Sequence, residues 1–101
     1  MAGGPGYTSK PRPVVIVQDE AFTARDSLTV CLITTDSIDL PMFRVPVEPT
    51  ATNGLRLVSH LLVDKVTTVP RRRLGQCIGR LADEDLLRLN RALLVFLGLA
   101  R

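Results

Sequence analysis

The sequence predicts a mainly β domain that ends in one α-helix. Short runs of β-branched residues, separated by Gly, Pro and Asn turns, extend as far as residue 81. Leucines at positions 86, 89, 93 and 97 then follow one another at helical spacing. The chain has 101 residues, which suits one hydrophobic core. We therefore expect a single small domain with its strands first and its helix last.

Two compact apolar runs predict the first core strands. Residues 14–17 are four β-branched residues in a row, which is typical of a strand buried on both faces or closed into a barrel. Pro13 is tolerated ahead of them because the first residue of a strand needs no ladder donor. Residues 28–34 have a similar composition and end in the hydroxyl-rich turn 34–37.

The remaining strands are predicted from shorter or interrupted patterns. Residues 43–47 alternate apolar with other side chains, and Pro46 assigns them to a sheet edge or a bulge. Residues 57–69 are rich in β-branched residues but are interrupted at 64–65, so they form either one bent strand or two short ones. Residues 76–81 predict a last short strand, which makes about five. Asp83 is the expected N-cap of the helix and Gly98 its end.

Gly and Pro dominate the amino terminus too strongly for a regular element. We expect a flexible segment at 1–11 and a folded domain at 12–101. The longest apolar run, 92–97, is far shorter than the roughly 20 residues of a transmembrane helix. No basic-then-apolar signal sequence opens the chain. The sequence therefore predicts a cytoplasmic protein with no membrane partner.

Charge and residue counts narrow the chemistry. Thirteen basic residues against ten acidic ones give a net charge of +3, and only Lys10 and Lys65 are lysines. Arginine suits phosphate, so nucleic acid is a candidate partner. The two cysteines and the single histidine, His60, are too few and too dispersed for a zinc site. They also exclude a Ser-His-Asp or Cys-His hydrolase unless His60 alone supplies the base.

Six short segments carry a resemblance to a known family. They are RPVVIVQ at 12–18, TVCLIT at 29–34, NGL at 53–55, DKVTTV at 64–69, RLG at 73–75 and IGRL at 78–81. With the leucine-rich helix, they resemble in order and spacing the MazF/PemK family of bacterial toxins, small endoribonucleases paired with antitoxins. The likeness runs from about residue 10 to residue 99.

The resemblance implies a fold and partners. The fold would be a strongly curved, SH3-like β-barrel of about five strands with a C-terminal helix, and the protein would be a homodimer with RNA as substrate and a cognate antitoxin as partner. Family members usually begin with a strand rich in aromatic and acidic residues. This chain is expected to lack that strand.

The resemblance also implies a chemistry and its residues. Arg12 and Thr34 match the catalytic arginine and threonine of a family that cleaves single-stranded RNA without a metal or cofactor, by attack of the ribose 2′-hydroxyl on the adjacent phosphate. A guanidinium can bind two oxygens of the phosphorane, and a hydroxyl can donate a further hydrogen bond. An arginine is a poor general base at neutral pH, so proton transfer by Arg12 stays open. The further candidates for RNA contact are Lys10, Thr35, Asp36, Ser37 and Lys65.

Two functions remain open at this point. The first is a sequence-selective endoribonuclease toxin of a type II toxin–antitoxin pair that inhibits translation and growth. The second is a catalytically degenerate binding protein of the same fold, such as a gyrase-directed toxin. The presence of both Arg12 and Thr34 favours the nuclease, whereas the absent first strand favours the degenerate protein.

Overall fold

The computed structural model describes residues 2–4, 12–36 and 43–100. The elements in chain order are β1 (Ala2–Gly4), β2 (Arg12–Ile16), β3 (Ser27–Thr34), β4 (Arg44–Val47), β5 (Ser59–Pro70) and α1 (Asp83–Phe96). Single-turn 3-10 helices lie at Glu20–Phe22 and Arg71–Arg73. Among the described residues, no helix is long and apolar enough to cross a membrane.

Four antiparallel strands form the sheet, in the order β2-β3-β5-β4, and the three-residue β1 pairs with the free edge of β2. The predicted mainly β fold with a C-terminal helix is confirmed. The prediction of no strand before Arg12 is wrong for Ala2–Gly4. Glycine has a low strand propensity, but pairing with the edge of β2 gives the backbone groups of these residues hydrogen-bond partners. No pairing that closes the sheet into a barrel occurs in the described parts of the chain, so barrel closure stays a prediction.

The longest strand, β5, is continuous and bent. Its first half pairs with β4 and with the end of β3, and its second half pairs with residues 27–31 of β3. The register shifts where Cys31 faces Val66 but Ile33 faces Leu61, so two steps along β3 match five along β5. The extra residues include 64–65, where the sequence showed an interruption. The alternative of one bent strand is therefore correct.

Residues 76–81 do not form the predicted last strand. Only Cys77 makes an isolated bridge, and the segment instead crosses the turn at 50–54. The backbone N–H of Arg80 donates to the carbonyl oxygen of Thr52 at 2.9 Å. Gly54 has a φ of +71°, and a Cβ there would collide with the carbonyl oxygen of Ile78. The close approach of segment and turn therefore depends on this glycine.

The helix begins and ends at defined residues. Its N-cap is Ala82, not the predicted Asp83, which is already helical. At the other end Gly98 has a φ of +75°, as predicted for the stop. The N–H of Leu99 donates to the carbonyl oxygen of Leu94 at 2.8 Å, which completes a Schellman motif.

The sheet has a large core on one face and a smaller cluster on the other. Under α1 the large core includes Val15, Ile33, Leu61 and Leu89. The smaller cluster contains Val14, Leu28, Val30 and Val69. Beyond this cluster, the same face continues to the start of β2 and the end of β3, where the predicted site residues lie.

Candidate active site

The two predicted catalytic residues lie on neighbouring strands. β2 pairs with β3 so that Val14 faces Leu32. If that register is extended by two residues, it would bring Arg12 opposite Thr34. Side chains directly opposite each other on antiparallel strands have Cβ atoms about 4.5–5.5 Å apart and share a face of the sheet. Arg12 and Thr34 therefore belong to the same end of the same face.

Local hydrogen bonds and chain stiffness orient both groups. Arg12 is extended because it pairs with Gly4 of β1 and precedes Pro13, which disfavours helical backbone. Its side chain is exposed. The hydroxyl oxygen of Thr34 accepts a hydrogen bond from the N–H of Asp36 at 3.1 Å. That bond uses an acceptor site of the hydroxyl and leaves its hydrogen free to donate to a phosphate oxygen.

The row of facing residues continues across the sheet. Thr34 pairs with His60 of β5, and His60 pairs with Pro46 of β4. Arg12, Thr34, His60 and Pro46, one from each of four strands, are called the cross-strand row below. Arg44 lies two residues from Pro46 on the same strand and therefore on the same face.

The cross-strand row lies on the face turned away from α1. Ile33 directly precedes Thr34 on β3, and Leu61 directly follows His60 on β5. Both apolar side chains lie in the core, with exposed fractions of 5% for Ile33 and 0% for Leu61. Side chains alternate between faces along a strand, so Thr34 and His60 project to the opposite side. Both are half-buried.

Two polar atoms near the row are buried and have no hydrogen-bond partner within the described ranges 2–4, 12–36 and 43–100. They are Nδ1 of His60 and Nε of Arg44. Most buried polar atoms in native proteins are hydrogen-bonded, so each such orphan calls for a physical explanation. Arg44 is not a site candidate from the sequence, and His60 is considered there only as the possible base of a hydrolase. The sequence places neither beside Thr34, because the pairing register of β5 depends on its bulge. The alternation of 43–47 does, however, assign Arg44 to the face opposite Val45.

The predicted RNA contacts have different positions. Thr35 and Asp36 are exposed and directly follow Thr34. Lys65 is not beside Thr34, because the register sets His60 there; its Nζ lies 3.6 Å from a carboxylate oxygen of Asp64 in the bulge. Lys10 and Ser37 lie outside the described residues.

The two thiols are unlike each other. Cys31 is fully buried in the core, and burial raises the pKa of its thiol to about 11. The Asp64 carboxylate also raises this pKa, and a backbone hydrogen bond with Leu62 lowers it. The Cys31 thiol also donates to the carbonyl oxygen of Leu62 at 3.3 Å. Cys77 is exposed. A buried thiol that stays protonated is a poor nucleophile, so Cys31 is excluded as a catalytic group.

A separate cleft of about 620 Å³ lies between the end of β2 and α1. Its lining includes Gln18, Cys77, Arg80, Leu86 and Asn90, and it contains no residue of the cross-strand row. Within the ranges that the structure describes, no three His, Cys, Asp or Glu side chains are grouped so that they could hold a metal ion.

Comparison with known proteins decides the family. Residues 3–97 match the family described as PemK-like, MazF-like toxins of type II toxin–antitoxin systems. The chain belongs to this family. Over 94 residues it is 55% identical to a probable endoribonuclease MazF of Mycolicibacterium smegmatis, across 93% of this chain and 86% of that protein.

Solved structures of a MazF toxin and of a mycobacterial endoribonuclease have the same fold. The Mycobacterium tuberculosis toxin MazF-mt6 is 30% identical, with a TM-score of 0.82 and full coverage of both chains. A mycobacterial endoribonuclease solved with its cognate antitoxin is 22% identical, with a TM-score of 0.81 over 99% of this chain and 92% of that one. The expectation of a MazF/PemK-family toxin is confirmed. The expected enzyme class, an endoribonuclease, is confirmed by the 55% identical relative.

Proposed function

We propose that the protein is the toxin of a type II toxin–antitoxin pair and cleaves single-stranded RNA without a metal, with sequence selectivity, inhibiting translation and growth. The observation that supports this proposal is the β2–β3 register, which pairs Val14 with Leu32 and, if extended by two residues, would bring Arg12 and Thr34 opposite each other. Two groups that suit a phosphodiester are thereby within reach of one phosphate. The alternative of a degenerate binding protein has no comparable observation in its favour, because β1 is present at the edge of β2.

The chemistry proposed for this pair is transesterification. The ribose 2′-oxygen attacks the adjacent phosphorus, the bond from phosphorus to the 5′-oxygen breaks, and a 2′,3′-cyclic phosphate remains. Negative charge builds on the equatorial phosphate oxygens in the transition state. The Arg12 guanidinium binds two of these oxygens, and the Thr34 hydroxyl donates to a phosphate oxygen.

Substrate binding is proposed to extend from the row to the residues that directly follow β3. Thr35 and Asp36 are exposed there, and Lys65 offers a cation further along β5. We include Lys10 and Ser37 in the RNA contacts on the strength of the family resemblance. The net charge of +3 attracts a polyanion, and the binding it supports is salt-dependent.

Exposed apolar residues at the end of α1 support a homodimer. Leu94, Val95, Phe96, Leu97 and Leu99 are between 43% and 72% exposed. Several exposed large apolar side chains at one end of a helix are typical of an interaction surface. We propose that a second copy of the chain covers it. A monomer at micromolar concentration in sedimentation would count against this assignment.

A cognate antitoxin is the second partner that we propose. Structures of related toxins contain such a partner, as in the mycobacterial complex described above. The basic balance of this chain suits an acidic, disordered antitoxin segment that folds on binding. Such a segment would cover the RNA site and inhibit the toxin.

Cleavage of labelled RNA in the presence of EDTA tests the proposed function. The expected products carry a 2′,3′-cyclic phosphate on one fragment and a 5′-hydroxyl on the other, and sequencing of the product ends gives the preferred cleavage site. Loss of cleavage on adding EDTA contradicts the metal-independent mechanism. Intact RNA together with inhibition of gyrase would support the second function instead.

A further inference from the structure

The proposed mechanism lacks a group that moves the proton of the 2′-hydroxyl. Arg12 and Thr34 are poor bases at neutral pH, since a guanidinium stays protonated and a hydroxyl is not readily ionised. Histidine is the side chain whose ordinary pKa lies closest to neutrality. The whole sequence contains one histidine, His60. The β3–β5 register sets it directly opposite Thr34.

We propose that His60 is the general base of RNA cleavage, an inference that rests on the proposed function. Thr34 lies between Arg12 and His60 in the cross-strand row, so the row offers a cation, a hydroxyl and an imidazole in sequence. Facing residues are about 4.5–5.5 Å apart at Cβ. A phosphate held by Arg12 and Thr34 thus has its adjoining ribose within reach of the imidazole on the next strand.

The surroundings of the ring favour a chemical role over a structural one. A histidine that only stabilises a fold is ordinarily hydrogen-bonded, because an unpaired buried nitrogen is destabilising. Among the residues that the structure describes, Nδ1 of His60 is buried without a hydrogen-bond partner, and the residue as a whole is half-buried. The accessible part of the ring therefore excludes Nδ1. Nε2 is the ring nitrogen that can meet a substrate.

The charged groups around His60 come from several elements. Arg44 shares the face on the β4 side, and Arg12 shares it on the β2 side, beyond Thr34. Asp36 follows the end of β3, and Asp64 and Lys65 lie in the bulge of β5. The two arginines suit the phosphate, whereas no other described side chain of the cross-strand row accepts a proton readily at neutral pH.

The step balances with solvent water as the only co-reactant. Nε2 of neutral His60 takes the 2′-hydroxyl proton as the bond from the 2′-oxygen to phosphorus forms. The bond from phosphorus to the 5′-oxygen breaks, and its electron pair stays on that oxygen, which takes a proton from water. The imidazolium then returns its proton to the resulting hydroxide. One 3′,5′-phosphodiester linkage has become a 2′,3′-cyclic phosphate and a free 5′-hydroxyl, and the enzyme is unchanged.

The test is a set of pH–rate profiles under single turnover, with EDTA present, for the parent protein and His60→Gln. The parent rate is expected to rise with pH through a single inflection that reports loss of a proton from the base. His60→Gln is expected to lose about 10²–10⁴-fold in kcat, with KM little changed, and to lose the inflection. Imidazole added to His60→Ala is expected to restore part of the rate. Glu84→Gln, an exposed change on α1, is the matched control and keeps the parent profile.

The outcomes separate this inference from the proposed function. If Arg12→Ala is inactive while His60→Gln keeps the parent rate and inflection, the base assignment is wrong and the proposed function stands. If His60→Gln and His60→Asn are slow but keep the inflection, His60 is structural and the inference is overturned. If Arg12→Ala cleaves normally, the proposed site itself is wrong.

Discussion

Neighbouring residues on the same strand project to opposite faces of the sheet, and the two faces have different roles. One face forms the core under α1, and the other carries the candidate site. On the face toward α1, Ile33 and Leu61 are almost completely buried in the same core cluster, and they face each other across the β3–β5 pairing. One residue further along β3 and one residue earlier along β5, Thr34 and His60 project to the other side. The backbone hydrogen bonds that hold the core in register therefore also align the candidate site.

This arrangement has a physical consequence for the site. A side chain on a loop loses its position when the loop moves, whereas one on a paired strand is held by the ladder on both sides. Thr34 and His60 each lie on strands that are paired on both edges. The core on one face therefore preorganises the groups on the other, which electrostatic stabilisation of a transition state requires.

The largest expected effect is at the exposed end of the row. Arg12→Ala is expected to reduce the cleavage rate by at least about 10²–10³-fold, because it removes the cation that faces the phosphate. Stability should change by less than about 0.5 kcal/mol, since the side chain is exposed. Single-turnover cleavage and urea unfolding measure the two quantities. Arg12→Lys, which keeps the charge but not the bidentate geometry, is the matched variant and should recover only part of the rate.

Truncation of a side chain on the core face should lower stability much more than the Arg12 change does. Leu61→Ala is expected to lower the free energy of unfolding by about 2–5 kcal/mol, because Leu61 is completely buried and truncation leaves a cavity. Leu62→Ala, the next residue on the half-buried face, should cost less. Urea denaturation of both variants provides the comparison. Equal losses would mean that the two faces do not differ in packing as described.

The thiols provide an independent measure of the same contrast. A thiol reagent at pH 8 is expected to modify Cys77 rapidly and Cys31 only through unfolding, since Cys31 is fully buried. Burial raises the pKa of Cys31 to about 11 in the folded chain. The corresponding stability is present below the ordinary thiol pKa of about 8.5 and is lost as the pH rises toward the folded value. Two equally fast thiols at pH 8 would contradict the described core.

The smallest expected effect is at the bulge. Lys65→Ala is expected to leave kcat unchanged and to reduce the slope of log binding constant against log salt by about 0.7, the value for one contact to single-stranded nucleic acid. Filter binding at several salt concentrations measures the slope. An unchanged slope would show that Lys65 does not contact the RNA. A lowered kcat would show that Lys65 takes part in the cleavage step.

The core and the helix were predictable from the sequence because apolar periodicity reports burial directly. Residues 14–17 and 28–34 coincide closely with β2 and β3, and Gly98 ends α1 as expected. The strand predicted at residues 76–81 is absent because this segment packs against the turn at 50–54 and does not join the strand ladder. β1 was missed because its pairing with β2 is a tertiary interaction that glycine propensity does not indicate.

The candidate site was only partly predictable, for a different reason. Arg12 and Thr34 came from a family resemblance, and neither composition nor spacing distinguishes them from an ordinary strand start and turn. The position of His60 beside Thr34 follows from the register between β3 and β5. That register shifts at a bulge, and a single sequence does not reveal the size of the bulge. Local patterns predict which residues are buried. Register decides which exposed residues meet.

The most direct test of the account is a crystal structure with an RNA oligomer that carries a 2′-deoxy nucleotide at the mapped cleavage site, so that the nucleophile is absent. The account predicts that the Arg12 guanidinium and the Thr34 hydroxyl both lie within about 2.7–3.1 Å of oxygens of the scissile phosphate. A scissile phosphate bound by one of these side chains while the other contacts a different nucleotide, or none, would contradict it.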